Sequence, residues 1–371
     1  MKLQPKVLSV ITTHRCTAAC VECCFGCSPG IETAIPVASI EQYIDDAADY
    51  GSFQMVVFTG GECFLLGNDL VDLVRRCTDH GFKSRVVTNG YWGESEKVAE
   101  RRAKALAGAG LGEVNISTGP AHAEYVSLDS VQNAAVASHN AGLSVLIALE
   151  ISDGMSFDAN AMFSNREFES LVDAGKITIL ASPWMEFRDG TGPKIDNVAA
   201  NTSRYNTGRC SSSLNVVAVT PTQKLISCCG LPMEDLPELA VGNLQTSSLG
   251  DLLSNSQNDL LRLWIHAEGP RAVFRAAERE GFVTGSLARG HICSECRDVY
   301  QDVGIADYLN SLNQESIDMI ARRFSLVVLA EERRPNSEEG SIPIFPASPA
   351  SSMCTGRDQV QKLVQITSTH P

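Results

Sequence analysis

The chain has 371 residues, enough to bury a substantial core and to hold more than one domain. Hydrophobic residues make up 44% and charged residues 20%, an ordinary balance for a soluble globular protein. A formal net charge of −14 argues against nucleic-acid binding, which needs a positive surface field.

From the N-terminus, strand-like and helix-like segments alternate. Short, β-branched runs at residues 7–12, 55–58, 84–88, 113–117, 144–151 and 177–180 read as buried parallel strands. Between them, residues 39–50, 68–80, 95–109, 127–141 and 165–174 read as helices. Ser39 is the expected cap of the first helix, and Gly81, Gly110 and Gly142 follow later ones. Repeated βα units imply a parallel sheet with helices outside, and six strands are too few for a closed eight-stranded barrel. Residues 182–209, with Gly190, Gly192, Pro193 and Gly208, read as a linker or covering loop. A cysteine-bearing segment runs from Cys210 to about Tyr308. A helix-like stretch at 313–330 then leads into a flexible tail rich in Pro, Ser and Glu (Pro335, Pro343, Pro346, Pro349), expected to add no fold of its own.

Thirteen cysteines, with no signal-peptide h-region and no membrane-length apolar stretch, point to a reducing cytoplasm and to metal ligation. Cys16, Cys20 and Cys23 follow the first strand on one short loop. Three thiolates so spaced can hold a [4Fe–4S] cluster, which normally takes four cysteines, and leave one iron open. Cys20, Cys24 and Cys27 repeat the spacing, but Cys16 lies at a short distance from the strand, which favours the first register. Zinc ligation and plain thiol packing are the alternatives.

The loop and its position resemble the radical S-adenosylmethionine (radical SAM) superfamily. The resemblance implies that the open iron chelates S-adenosylmethionine (SAM) and that an electron from the cluster breaks a C–S bond to give a 5′-deoxyadenosyl radical. It also implies an α/β fold, an open partial (β/α)6 TIM-like barrel. The family's aromatic residue before the third cysteine is missing, since Glu22 stands there, or Gly26 in the second register. Phe58-Thr59-Gly60-Gly61-Glu62 ends the second strand, where α/β folds place ligands. It resembles the family's SAM-binding motif, which puts the methionyl amino group against Thr59, Gly60, Gly61 and Glu62. Cys63 stands where relatives often have proline. Polar residues at the ends of strands three and four, Asn89 and Ser117, are expected to hold the ribose and carboxylate. Gly119 replaces an aspartate common in relatives, and His122 is either a substrate donor or a solvated loop residue.

Farther on, Cys210 precedes an apolar run at 214–219 and a hairpin turn at 220–224. Residues 225–230 read as the returning strand and carry Cys228 and Cys229, while Cys293 and Cys296 form a CxxC pair. Cys210, one of Cys228 or Cys229, Cys293 and Cys296 make four ligands. Adjacent strand residues face opposite ways, so one of the adjacent pair serves. The pattern resembles the twitch domain, a shortened SPASM domain, which implies an auxiliary [4Fe–4S] cluster in a small α+β domain; a zinc site is the alternative. The expected domains are a radical SAM core at 1–200, an auxiliary cluster domain at 201–310, and a helix and tail at 311–371.

Three functions fit. The first is a maturase of a ribosomally made peptide, forming a thioether, a carbon–carbon link or an epimerised residue. The stretch from Cys24 to Pro29 loosely resembles that group, although the core begins almost at residue 1 and leaves no room for a separate N-terminal peptide-binding domain. The second is a small-molecule tailoring enzyme or dehydrogenase. The third is a non-enzymatic zinc or iron–sulfur protein. The expected partners are a peptide or small-molecule substrate and a reductant such as flavodoxin or ferredoxin, with neither nucleic acid nor membrane.

Overall fold

The computed structural model describes residues 4–152, 157–158, 160–183, 208–231, 233–256, 259–287, 291–332, 352–354, 357–358 and 361. Six βα-type strands run in chain order: β1 (Val7–Ile11), β2 (Met55–Thr59), β3 (Lys83–Thr88), β4 (Glu113–Thr118), β5 (Ser144–Ile151) and β6 (Ile177–Pro183). Each pairs in parallel with the next, in registers such as Val7 with Met55 and Ile116 with Ile147. The helices between them are α1 (Val37–Tyr50), α2 (Asn68–Asp79), α3 (Glu96–Gly108), α4 (Leu128–Asn140) and α5 (Arg166–Asp173). This is the expected α/β partial barrel, and its sheet does not close on itself.

The pleat sorts the strand residues into two sets. Leu8, Val10, Val56, Phe58, Val86, Val114, Ile116 and Ile147 face the helices and form the main core. Their neighbours Ser9, Val57, Val87, Asn115, Leu146 and Leu180 face the opposite way, into an internal cavity. Burying one side chain such as Phe58 stabilises the fold by about 1.5–3 kcal/mol. The outer set therefore fixes the register that aims the inner set.

Helix starts follow local chemistry. Ser95, Ser127 and Asn165 cap α3, α4 and α5 by accepting from backbone N–H groups of their first turns. Ser39 does not cap α1, because that helix begins two residues earlier, after Pro36, whose fixed φ starts the turn without a side-chain bond.

The sheet continues past the barrel on both sides. β7 (Val216–Val219) pairs in parallel with β1, and β8 (Lys224–Ile226) and β9 (Ala240–Asn243) follow antiparallel. On the far side, β10 (Ser352–Cys354) pairs antiparallel with β6, so part of the tail expected to add no fold supplies an edge strand. Helices α6 (Leu249–Asn255), α7 (Leu260–Glu268), α8 (Pro270–Arg279), α9 (Ile292–Gln301), α10 (Val303–Ser311) and α11 (Gln314–Glu332) complete the described chain. Trp264, Ile265, Val273, Phe274 and Tyr308 build a second core there.

The returning strand ends at Ile226, four residues short of its expected end. A bulge lies between Leu225 and Ile226, and Ser227 turns to bond Leu239 O through both its N–H and its hydroxyl. Cys228 and Cys229 therefore sit on a loop, and the strand rule of opposite faces does not apply to them. The linker residues Gly190, Gly192 and Pro193, and the tail residues Pro335, Pro343, Pro346 and Pro349, lie outside the described residues. Among the described residues no helix is long and apolar enough to cross a membrane.

Candidate active site

The N-terminal cysteine loop is held by backbone on two sides. Gly61 N–H donates to Thr13 O at 2.6 Å and Glu62 N–H to Arg15 O at 3.0 Å. On the other side Cys16 N–H reaches Ser28 O, His14 N–H reaches Thr33 O, and Thr13 and Arg15 form isolated bridges with Ala34 and Ser28. A Cβ at Gly60 would stand 2.6 Å from Thr13 O, and one at Gly61 would run into the Arg15 carbonyl. The paired glycines are thus demanded by the close passage of the cysteine loop itself.

Thr59, Gly60, Gly61, Asn89 and Ser117 all line the cavity beside Cys16, Cys20 and Cys23. Glu62 does not. Its carboxylate is fully buried and accepts from Phe64 N–H (3.0 Å), Asn89 N–H (2.9 Å) and the Thr88 hydroxyl (2.9 Å). Burial pushes its carboxyl up to about 7 against the pull of those donors. It fixes the joint between β2, β3 and the loop rather than facing the cavity. Asn89 is similarly engaged, since its amide donates to the Thr17 hydroxyl at 2.9 Å and its oxygen accepts from Tyr91 N–H. Cys63 is fully buried with its thiol against Val87 O at 3.3 Å, a packing role.

Within the loop, Ala18 N–H points at Cys16 Sγ (3.4 Å) and Cys27 N–H at Cys23 Sγ (3.4 Å). The Cys27 thiol beside it brings the Cys23 thiol down to about 6, while burial pushes Cys16 up to about 11 and Cys20 up to about 12. Phe25 packs both against this group and against Ile11, Ala218, Ile226 and Met233, joining the loop to the C-terminal segment.

Glu150, near the end of β5, escapes sequence reasoning. Its carboxylate lies 2.7 Å from His122 Nδ1 and accepts from Ala121 N–H at 2.5 Å and His122 N–H at 3.2 Å. A Cβ at residue 119 would run into the Glu150 side chain, so Gly119 makes room for it. Burial opposes charge on His122, but Glu150 outweighs it and holds the imidazolium above its usual range. Both residues line the cavity. A lone acid in an otherwise apolar strand was the available signal.

Cys210, Cys228, Cys229, Cys293 and Cys296 line the same cavity, whose volume is about 380 Å³. Cys210 is tied to α7 by its N–H to Ile265 O at 3.0 Å, and Gly230 N–H donates to Cys228 Sγ at 3.0 Å. His291 caps α9, which carries Cys293 and Cys296 one turn apart. Burial raises Cys210 to about 12, and the neighbouring Cys228 adds to it.

The residues fit a thiolate-bound cluster with a polar ligand. Thiols come in two sets, each with a backbone N–H aimed at a sulfur, and the buried Asn115 Oδ1 on the cavity wall has no hydrogen-bond partner among the described residues. Among the described residues, no three His, Cys, Asp or Glu side chains are grouped as ligands of a single metal ion.

Residues 10–118 match the family model of the Radical SAM superfamily. A stretch of 128 residues is 29% identical to YydG of Bacillus subtilis (strain 168), a protein assigned provisionally to peptide biosynthesis; it covers 34% of this chain and 40% of YydG. The chain thus spans well under half the length of that curated relative. Among solved structures, it is similar to BtrN in complex with AdoMet and 2-DOIA, at 15% identity and a TM-score of 0.45 over 73% of this chain and 91% of that one. It is also similar to anSMEcpe with bound AdoMet and Cp18Cys peptide, at 13% identity and a TM-score of 0.48 over 83% and 100%. The match to the Radical SAM superfamily takes in the cysteine loop and the paired glycines.

Proposed function

We propose that the chain cleaves SAM reductively and takes a hydrogen atom from a ribosomally made peptide, leaving a thioether, a carbon–carbon link or an epimerised residue. The observation that carries this reading is the single cavity with both cysteine sets in its wall. When bound, the N-terminal cluster and SAM supply the radical; the protein positions the reactants and excludes water. Cys16, Cys20 and Cys23 hold that cluster, all three in the cavity wall beside the paired glycines. Thr59, Gly60, Gly61, Asn89 and Ser117 form the SAM side of the cavity, with Glu62 bracing them from behind.

Cys210, Cys228, Cys293 and Cys296 hold the auxiliary cluster. Cys228 is preferred to Cys229 because the Gly230 N–H on its sulfur repeats the spacing of Ala18 N–H on Cys16. The radical core at 1–200 and the auxiliary domain at 201–310 then share one sheet through β1 and β7. His122, held by Glu150, faces the substrate. YydG's assignment to peptide biosynthesis favours a peptide, and a single-electron donor such as flavodoxin or ferredoxin would serve as the reductant in the cytoplasm. A small-molecule substrate is the second reading, favoured by a cavity volume in the range of small-ligand pockets.

Anaerobic reconstitution tests the proposal. The full chain should take up about eight irons as two four-iron clusters and release 5′-deoxyadenosine from SAM. Replacing Cys16, Cys20 and Cys23 together by alanine should halve the iron and abolish that release. Continued 5′-deoxyadenosine production in the triple variant would sink the reading.

A further inference from the structure

Arg262 stands on α7 with only 4% of its surface exposed, among the C-terminal cysteines on the cavity wall. Its Nη2 donates to Ser213 O at 3.2 Å and to Ser227 O at 3.3 Å. Ser213 lies in the turn that follows Cys210, and Ser227 directly precedes Cys228, so one guanidinium ties together the backbones that carry two of the thiols. Among the described residues its Nε has no hydrogen-bond partner and no carboxylate pairs with it. The nearby Asp259 is taken up at its Oδ1 by Arg262's own backbone N–H at 2.7 Å.

A guanidinium keeps its charge at every accessible pH, and a buried charge without a counter-charge is costly. Two neutral carbonyls do not balance it. Four cysteine thiolates around a four-iron cube do, because that assembly carries a net negative charge, which grows by one on reduction.

We propose that Arg262 is the built-in counter-charge of the auxiliary cluster, a positioning residue that favours its reduced state. The inference rests on the auxiliary-cluster reading above. It places the tuning of that cluster on α7, a helix that carries no ligand.

The test uses the full chain with Cys16, Cys20 and Cys23 replaced by alanine, so that only the auxiliary cluster contributes a signal. Iron content and an EPR-monitored redox titration are measured for that parent, for Arg262→Gln and for Arg262→Lys. Gln can still donate to the carbonyls but is neutral; Lys keeps the charge. The parent should hold about four irons. Arg262→Gln should keep them while its reduction equilibrium falls on the order of tenfold, about 59 mV toward negative potential for one electron. Arg262→Lys should stay near the parent. If Gln prevents assembly and Lys restores it at the parent's potential, the charge is equally implicated. A Gln variant with four irons and an unchanged potential overturns the inference, as does a Lys variant displaced as far as Gln. A parent without iron overturns the auxiliary-cluster reading instead.

Discussion

The two cysteine sets share one cavity but are built by different means. Cys16, Cys20 and Cys23 sit on a short loop clamped by backbone: Gly61 and Glu62 on one side, Ser28 and Thr33 on the other. Cys210, Cys228, Cys293 and Cys296 come from two loops and a helix far apart in sequence; Cys210 and Cys296 pack on the core of Trp264, Ile265 and Val299, and Cys228 on that of Ile226 and Met233. The first arrangement is local, so its spacing is written in the chain. The second exists only after tertiary assembly, and it needs a buried arginine and a folded helical layer to hold it. A local site can form early and keep its geometry; a dispersed one can respond to what occupies the cavity.

The sharpest way to break this comparison is to remove the dispersed set alone. Cys293→Ala with Cys296→Ala should lose about half of roughly eight irons and almost all product, while SAM cleavage continues uncoupled from product. Complete loss of cleavage in a folded double variant would show that the two sites act as one. A smaller effect is expected at Glu62. Because its carboxylate accepts from three partners behind the loop, Glu62→Gln should cost roughly 1–3 kcal/mol of stability and make the N-terminal cluster easier to strip with chelator. SAM affinity, measured on variant protein with full iron, should change little; a large loss would put the carboxylate in contact with SAM after all. The smallest effect belongs to Cys63. Cys63→Ala should cost about 1 kcal/mol in thermal or denaturant unfolding and leave iron content and 5′-deoxyadenosine release unchanged, and an iron deficit would place it among the cluster's surroundings.

Much of the barrel was legible because its strands and helices obey local periodicity. β5 begins and ends where its apolar run does, and α3 and α4 start one residue after the serines that cap them. Reading failed where a tertiary partner decided the outcome. Residues 225–230 have strand composition, but Ser227 leaves the ladder for Leu239 O, which puts Cys228 and Cys229 on a loop. Glu62 looks like a ligand in sequence; Phe64, Thr88 and Asn89 claim its carboxylate only once β3 lies beside β2. Glu150 and Arg262 drew no attention because each lies within an apolar run, and Asn115 because it sits mid-strand among other polar residues. Their meaning comes from the wall they share.

The parallel pairing of β1 with β7 sets the order in which the molecule can be finished. Val7 precedes Val216 by 209 residues, and the second edge of its strand stays open until Val216 arrives. Contacts of such long sequence separation form slowly, and an uncovered apolar strand edge invites pairing with another chain. A fragment ending near residue 200 would carry every motif of the radical core and still leave β1 bare. Its expected fate is aggregation, because β7 in the C-terminal segment is what covers that edge of the strand leading into the cysteine loop.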